Sequence, residues 1–242
     1  MKAIKFACTF GIATALALTG ASAAEAIKPL RIAQHGYFFA GGSYQAFPDG
    51  KFLTGQMYVE YFIPERRTHA TPLVMFSGGG QSGLNYTGTP DGREGGMQYF
   101  VRQGYAVYVL DQLPRARSPH QPETGELTRL SVARVQQQFT APERSNLWPQ
   151  AKLHTQWPGA GVAGGPVFDQ FVGQNCPSLA SFPRQQELNR EAGAALLDKI
   201  GPSILFTHTQ TQPSGGSSPM PARNSSARSW RWNHPARRST TT

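Results

Sequence analysis

Residues 72–81 read PLVMFSGGGQ, a continuous apolar run that stops at a serine and three glycines. Such a run, bounded by proline and glycine, predicts a strand covered on both faces. Residues 93–111, REGGMQYFVRQGYAVYVLD, come soon after. There Met97, Phe100 and Val101 recur at helical spacing, Gly104 stops the helix, and Tyr105 to Leu110 form a second apolar run. Strand, glycine turn, helix and strand make a βαβ unit, which requires parallel strands. The chain is therefore predicted to be an α/β protein with a mostly parallel sheet and flanking helices.

Upstream, QMYVEYFI (56–63) puts Met57, Val59, Tyr61 and Ile63 on one face and Tyr58, Glu60 and Phe62 on the other, a strand closed by Pro64. Downstream, residues 119–184 are rich in Pro and Gln, and only LTRLSVARVQQQF (127–139) reads as helical. An insertion of this kind in an α/β domain forms a lid or cap over the strand ends, or else is partly disordered. Helical period then returns with Leu188, Ala192, Ala195, Leu196 and Ile200, closed by Gly201-Pro202. SILF (203–206) is a further buried-type strand and leads into Thr207-His208-Thr209-Gln210.

The ends of the 242-residue chain have different compositions. Residues 1–23 carry Lys2 and Lys5, an apolar run at 6–19 too short to span a bilayer, and Ala21-Ser22-Ala23 as a cleavage site. This predicts a signal peptide, export to the periplasm or the medium, and no membrane span after cleavage. Removal of Cys8 leaves Cys176 with no partner for an internal disulfide. Of the net charge of +9, five positive charges are Arg223, Arg228, Arg231, Arg237 and Arg238, and two lie in the signal. Residues 24–212 hold the remaining +2, so no specific nucleic-acid partner is expected of the body. Residues 211–242 contain no Leu, Ile, Val or Phe and cannot build a core.

The strand ending in Thr207-His208-Thr209-Gln210 resembles the nucleophile elbow of the α/β-hydrolase superfamily, the G-x-S-x-G turn that raises a hydroxyl above the sheet. Thr207 and Thr211 take the places of the small flanking residues. Gly78-Gly79-Gly80-Gln81 resembles the oxyanion loop after that fold's third strand. Residues 35–44, 56–65, 89–112 and 115–118 (RARS) are similar to a secreted or periplasmic bacterial esterase group within the superfamily. The resemblance implies Thr209 at the nucleophile position, the amides of Gly79 and Gln210 as oxyanion donors, and Gly78, Gly80 and His208 as the supporting loops. It implies a domain over 24–210 with the insertion at 119–184, a small-molecule ester as substrate, and no metal or organic cofactor.

Two departures stand out. Threonine replaces serine at 209, and its extra methyl crowds an elbow built for serine. The superfamily's later acid and histidine have no counterpart, since His234 sits in the coreless segment. Asp111 reads as a residue that orders the following turn, His120 and His154 as structural or solvent-facing, and Cys176 as a thiol outside any catalytic motif. Residues 211–242 are either a flexible basic tail or a stretch translated out of frame. A GC-rich back-translation of 213–239, read two bases later, allows an amphipathic helix, a β-branched strand and an acid, the elements that should follow the elbow. On the frameshift reading the fold is truncated at its carboxyl end and the strand at 203–206 becomes an open edge. The competing reading is a non-catalytic exported binding protein with an Arg-rich tail for anionic surfaces.

Overall fold

A computed structural model describes residues 29–208 together with 229 and 230. The predicted signal peptide at 1–23, Thr209, Gln210, and all of 211–242 except Ser229 and Trp230 lie outside the described residues.

The chain opens with a long hairpin, β1 (Ile32–Phe47) and β2 (Gly50–Pro64), paired antiparallel from Ile32 opposite Pro64 to Phe47 opposite Gly50. Strand β3 (Leu73–Phe76) follows, with all four residues buried. The short helix α1 (Leu84–Thr87) and helix α2 (Gly96–Arg102) lead to β4 (Val107–Leu110), parallel to β3. Gly104, at φ +86°, ends the helical segment as predicted.

The insertion is a set of short pieces. A two-residue strand β5 (Leu127–Thr128) precedes α3 (Val132–Val135), whose first turn is capped by the Ser131 hydroxyl accepting from the Arg134 amide. Helix α4 (Pro166–Gly173) comes next, and β6 (Ser178–Leu179) pairs antiparallel with β5. The predicted helix over 127–139 is thus shorter, because Leu127 and Thr128 pair with residues fifty positions away. The chain returns through α5 (Phe182–Ile200) to β7 (Ile204–Thr207), parallel to β3. Ser229–Trp230 form β8, parallel to the outer side of β7.

The six-stranded sheet runs β1-β2-β4-β3-β7-β8. It is mixed: β1 and β2 are antiparallel to their neighbours, and β4, β3, β7 and β8 run parallel. Alternate side chains supply two cores. Ala40, Val59, Val74, Phe76, Leu110 and Leu113 pack with Leu188, Ala192 and Leu196 of α5 on one face. Phe62, Leu73, Met75, Val107 and Val109 pack with Tyr86, Met97 and Val101 of α1 and α2 on the other. The two-residue β8 borders the strand that frameshift predicts as an open edge, yet β7 remains only half-buried along its length.

Candidate active site

Register fixes what stands together. Phe76 is opposite Leu110 in β4 and opposite Thr207 in β7, so β3, β4 and β7 all stop at one level. Gly78, Gly79 and Gly80 continue from β3, and exposed His208 continues from β7. Both connections therefore leave adjacent strands at the same, carboxyl, end of the sheet. Thr209 and Gln210 lie beyond the described residues.

The glycine loop is held from several sides. Its position at the strand ends is set by Gln112, whose side-chain amide donates to the Ser77 carbonyl, and by the Tyr86 hydroxyl, which donates to the Phe76 carbonyl at 2.6 Å. Burial pushes the Tyr86 phenol well above its ordinary pKa, so it stays a donor. Arg115, 2% exposed, donates from Nη1 to the Gly78 carbonyl at 2.7 Å. The Gln81 amide reaches the same oxygen at 3.3 Å. Gly80, at φ +69°, donates its amide to Ser178 Oγ at 3.2 Å and accepts from the Cys176 amide at 2.8 Å. A Cβ at Gly80 would also lie 3.1 Å from Leu130 Cδ1. The insertion thus packs directly on this loop.

Between these anchors Gly79 is partly buried, and its N–H meets no acceptor among the described residues. An unbonded amide of this kind, in a partly buried glycine flanked by a fixed peptide on each side, can donate to an oxygen that gains negative charge.

Asp111 sits beneath the site and is fully buried. Its Oδ1 accepts from the Gly83 amide at 2.7 Å, and its Oδ2 accepts from the Arg117 amide at 3.1 Å and from Arg117 Nε at 2.7 Å. Arg117 Nη1 goes on to Glu60 Oε2 at 2.7 Å, and His35 Nε2 meets Glu60 Oε1 at 2.9 Å. The carboxylate orders two turns. Its pairing, with that of Glu60, raises the Arg117 guanidinium further above its ordinary value against the opposing effect of burial. His120 bonds the Gly125 carbonyl, and His154 lies 3.7 Å from Glu143, both structural placements. Burial raises the Cys176 thiol above its usual value, which disfavours a thiolate.

Sequence reading missed Arg115 and Ser178, which come from a loop and from the insertion. It also missed β1 altogether. The available signal was Asp49-Gly50 between Phe47 and Phe52, a hairpin turn dipeptide. Because Val59 pairs with Leu110, residues 50–58 project beyond the carboxyl end of β4. A cleft of about 320 Å³ opens between this hairpin end and α5, lined among others by Gly42, Thr54, Pro114 and Leu188; none of the three site glycines lines it. Among the described residues no cluster of three His, Cys, Asp or Glu side chains is placed to hold a metal, and no helix is long and apolar enough to cross a membrane.

The mixed sheet flanked by helices, with β4, β3 and β7 parallel and the glycine loop at their carboxyl ends, is an α/β arrangement like that of a solved bacterial esterase. The chain is similar to a probable secreted lipase, phiG, of Fungal sp. (strain ATCC 74256): 41% identity over 174 residues, 72% of this chain and 45% of the relative. It thus spans less than half the length of that curated relative. It is also similar to a solved structure described as a novel bacterial esterase, with a TM-score of 0.56, 25% identity, and coverage of 76% of this chain and 62% of that one. No family model matches the chain.

Proposed function

We propose that this chain derives from an exported carboxylic ester hydrolase in which the residue at 209 attacks the carbonyl and the amides of Gly79 and Gln210 hold the oxyanion. A histidine and an acid beyond the elbow would take the proton and orient the base. The observation that carries this reading is the register of Phe76 with Thr207, which starts both loops from one level of two adjacent strands. The partly buried Gly79, whose amide meets no acceptor among the described residues, supports the donor role. The insertion, packed on Gly80 through Leu130, Cys176 and Ser178, is the lid under which a small, uncharged or weakly polar ester enters. Export follows the leader-like residues 1–23 and the secreted lipase to which the chain is similar.

On this reading residues 211–242 are out of frame, and the shift near 207–213 also put threonine at 209. β8, at residues 229 and 230, falls within the stretch where the shifted frame restores a β-branched strand. The test is hydrolysis of a chromogenic short-chain ester by the chain as given and by a frame-restored chain with Thr209→Ser. Activity confined to the restored chain supports the proposal; a restored, folded chain with no turnover removes it. Independent nucleotide reads that find one intact frame encoding this same tail remove the frameshift.

A further inference from the structure

We infer that Arg115 is a positioning residue for the oxyanion site, holding the Gly78–Gly79 peptide so that the Gly79 N–H faces the reacting carbonyl. The inference rests on the esterase reading of the site.

A trans peptide points its C=O and its N–H in opposite directions across one plane. Whatever fixes the Gly78 oxygen therefore aims the Gly79 nitrogen. Arg115 Nη1 grips that oxygen at 2.7 Å from a side chain only 2% exposed, with the Gln81 amide as a weaker second donor at 3.3 Å. The peptide before it is fixed by Gln112 on the Ser77 carbonyl, and Gly80 is fixed by Ser178 and Cys176. Among the described residues neither the Gly78 nor the Gly79 N–H meets an acceptor, and of the two residues Gly78 is buried whereas Gly79 is only partly so. A neutral donor would aim the Gly79 N–H as well, but a charged one does more. Hydrogen bonds to ions are stronger, and a cation on the carbonyl polarises the whole amide, making its N–H a better donor. Burial lowers the guanidinium to about 10, so it keeps its charge at neutral pH. Arg115 and Arg117 of the RARS segment thus divide the work, one on the glycine loop and the other on Asp111 and Glu60.

The test has two arms. In the frame-restored chain labelled with ¹⁵N and carbonyl-¹³C glycine, Arg115→Met moves the Gly79 nitrogen resonance upfield while Gly36 and Gly104 stay in place. Arg115→Lys, which keeps a charged donor with shorter reach, moves it by less and serves if the Met variant does not fold. A Gly79 resonance unmoved in the folded variants overturns the inference. In the frame-restored chain with Thr209→Ser, Arg115→Met lowers kcat about tenfold with KM within about twofold, part of the ~10²–10³ that one oxyanion donor contributes. Arg115→Lys recovers to within about threefold of the parent. Unchanged kcat, or a loss confined to KM, also overturns it. If the restored parent hydrolyses no ester, the esterase reading fails, and the nitrogen shift alone decides whether Arg115 holds the peptide.

Discussion

Phe76 and Thr207 are the last residues of two adjacent parallel strands and stand opposite each other in register. A strand advances about 3.3 Å per residue, so two connections starting from one level stay within a few residues of each other's reach. Gly79 is three residues past Phe76, and position 209 is two past Thr207. On the proposed reading, that spacing would let one small carbonyl group meet both.

The contrast between these strands predicts the behaviour of the chain as given. β3 is wholly buried, whereas β7 is half-buried and bordered by only two residues of β8. An apolar strand paired on its outer side, among the described residues, only at Leu205 and Phe206 invites association. The expressed chain should sediment with the insoluble fraction, and the frame-restored chain should remain in solution. A sharp, cooperative melt of soluble monomer from the chain as given contradicts this.

Gly83 shows how tightly the base of the site is packed. A Cβ there would lie 2.6 Å from Val109 Cγ1 and 3.2 Å from Asp111 Oδ1. Val109 belongs to a filled core and cannot retreat freely. Gly83→Ala in the frame-restored chain should cost about 1–3 kcal/mol in urea unfolding, the range for overpacking. An unchanged midpoint and slope would show that the turn has room to spare.

Asp111 is fully buried and answers both the Gly83 amide and the Arg117 side chain. Asp111→Ala strands both donors. Because Arg117 is partly solvated, the loss should be about 3 kcal/mol, below the upper range for a sealed pair. A double-mutant cycle with Arg117→Met should show clear coupling between the two sites. Additive effects would separate them. Ester turnover, if Asp111 is structural, should follow the folded fraction in this variant.

Burial raises the Cys176 thiol, with the nearby Arg115 cation opposing it more weakly. A raised folded pKa means the folded chain holds its proton while the unfolded chain has begun to lose it. Stability from this group is therefore intact below the unfolded thiol value and declines as pH rises through it toward the folded value. Iodoacetamide near pH 9 should modify the peptide containing Cys176 more slowly in the folded chain than in urea, as followed by mass spectrometry. Equal rates in the two states would contradict a protected thiol.

The core of the fold was legible because its signals are local. Apolar runs at 72–76 and 105–110, the glycine at 104 and the helical period at 188–200 each lie within a few residues. β1 was not legible: Gly36, Gly41 and Gly42 interrupt its alternation, and Tyr37, Phe39 and Tyr44 stay exposed on an edge strand. β5 and β6 depend on pairing between Leu127 and Leu179, which no local pattern announces. At the site, the three glycines were visible as residues, but their anchors Arg115, Gln112 and Ser178 come from segments that only tertiary packing brings in. Asp111 read correctly as a turn-ordering residue, although its partner Glu60 lies in a different strand and is reached through Arg117.

In the proposed site the Gly79 amide and the hydroxyl-bearing position 209 serve one carbonyl. The most direct measurement is a crystal structure of the frame-restored Thr209→Ser chain after reaction with a small alkyl phosphonate ester. The account predicts phosphorus on the residue 209 oxygen and the phosphoryl oxygen about 2.7–3.1 Å from the Gly79 and Gln210 nitrogens. An adduct at another residue, or a phosphoryl oxygen turned away from the Gly79 amide, contradicts it.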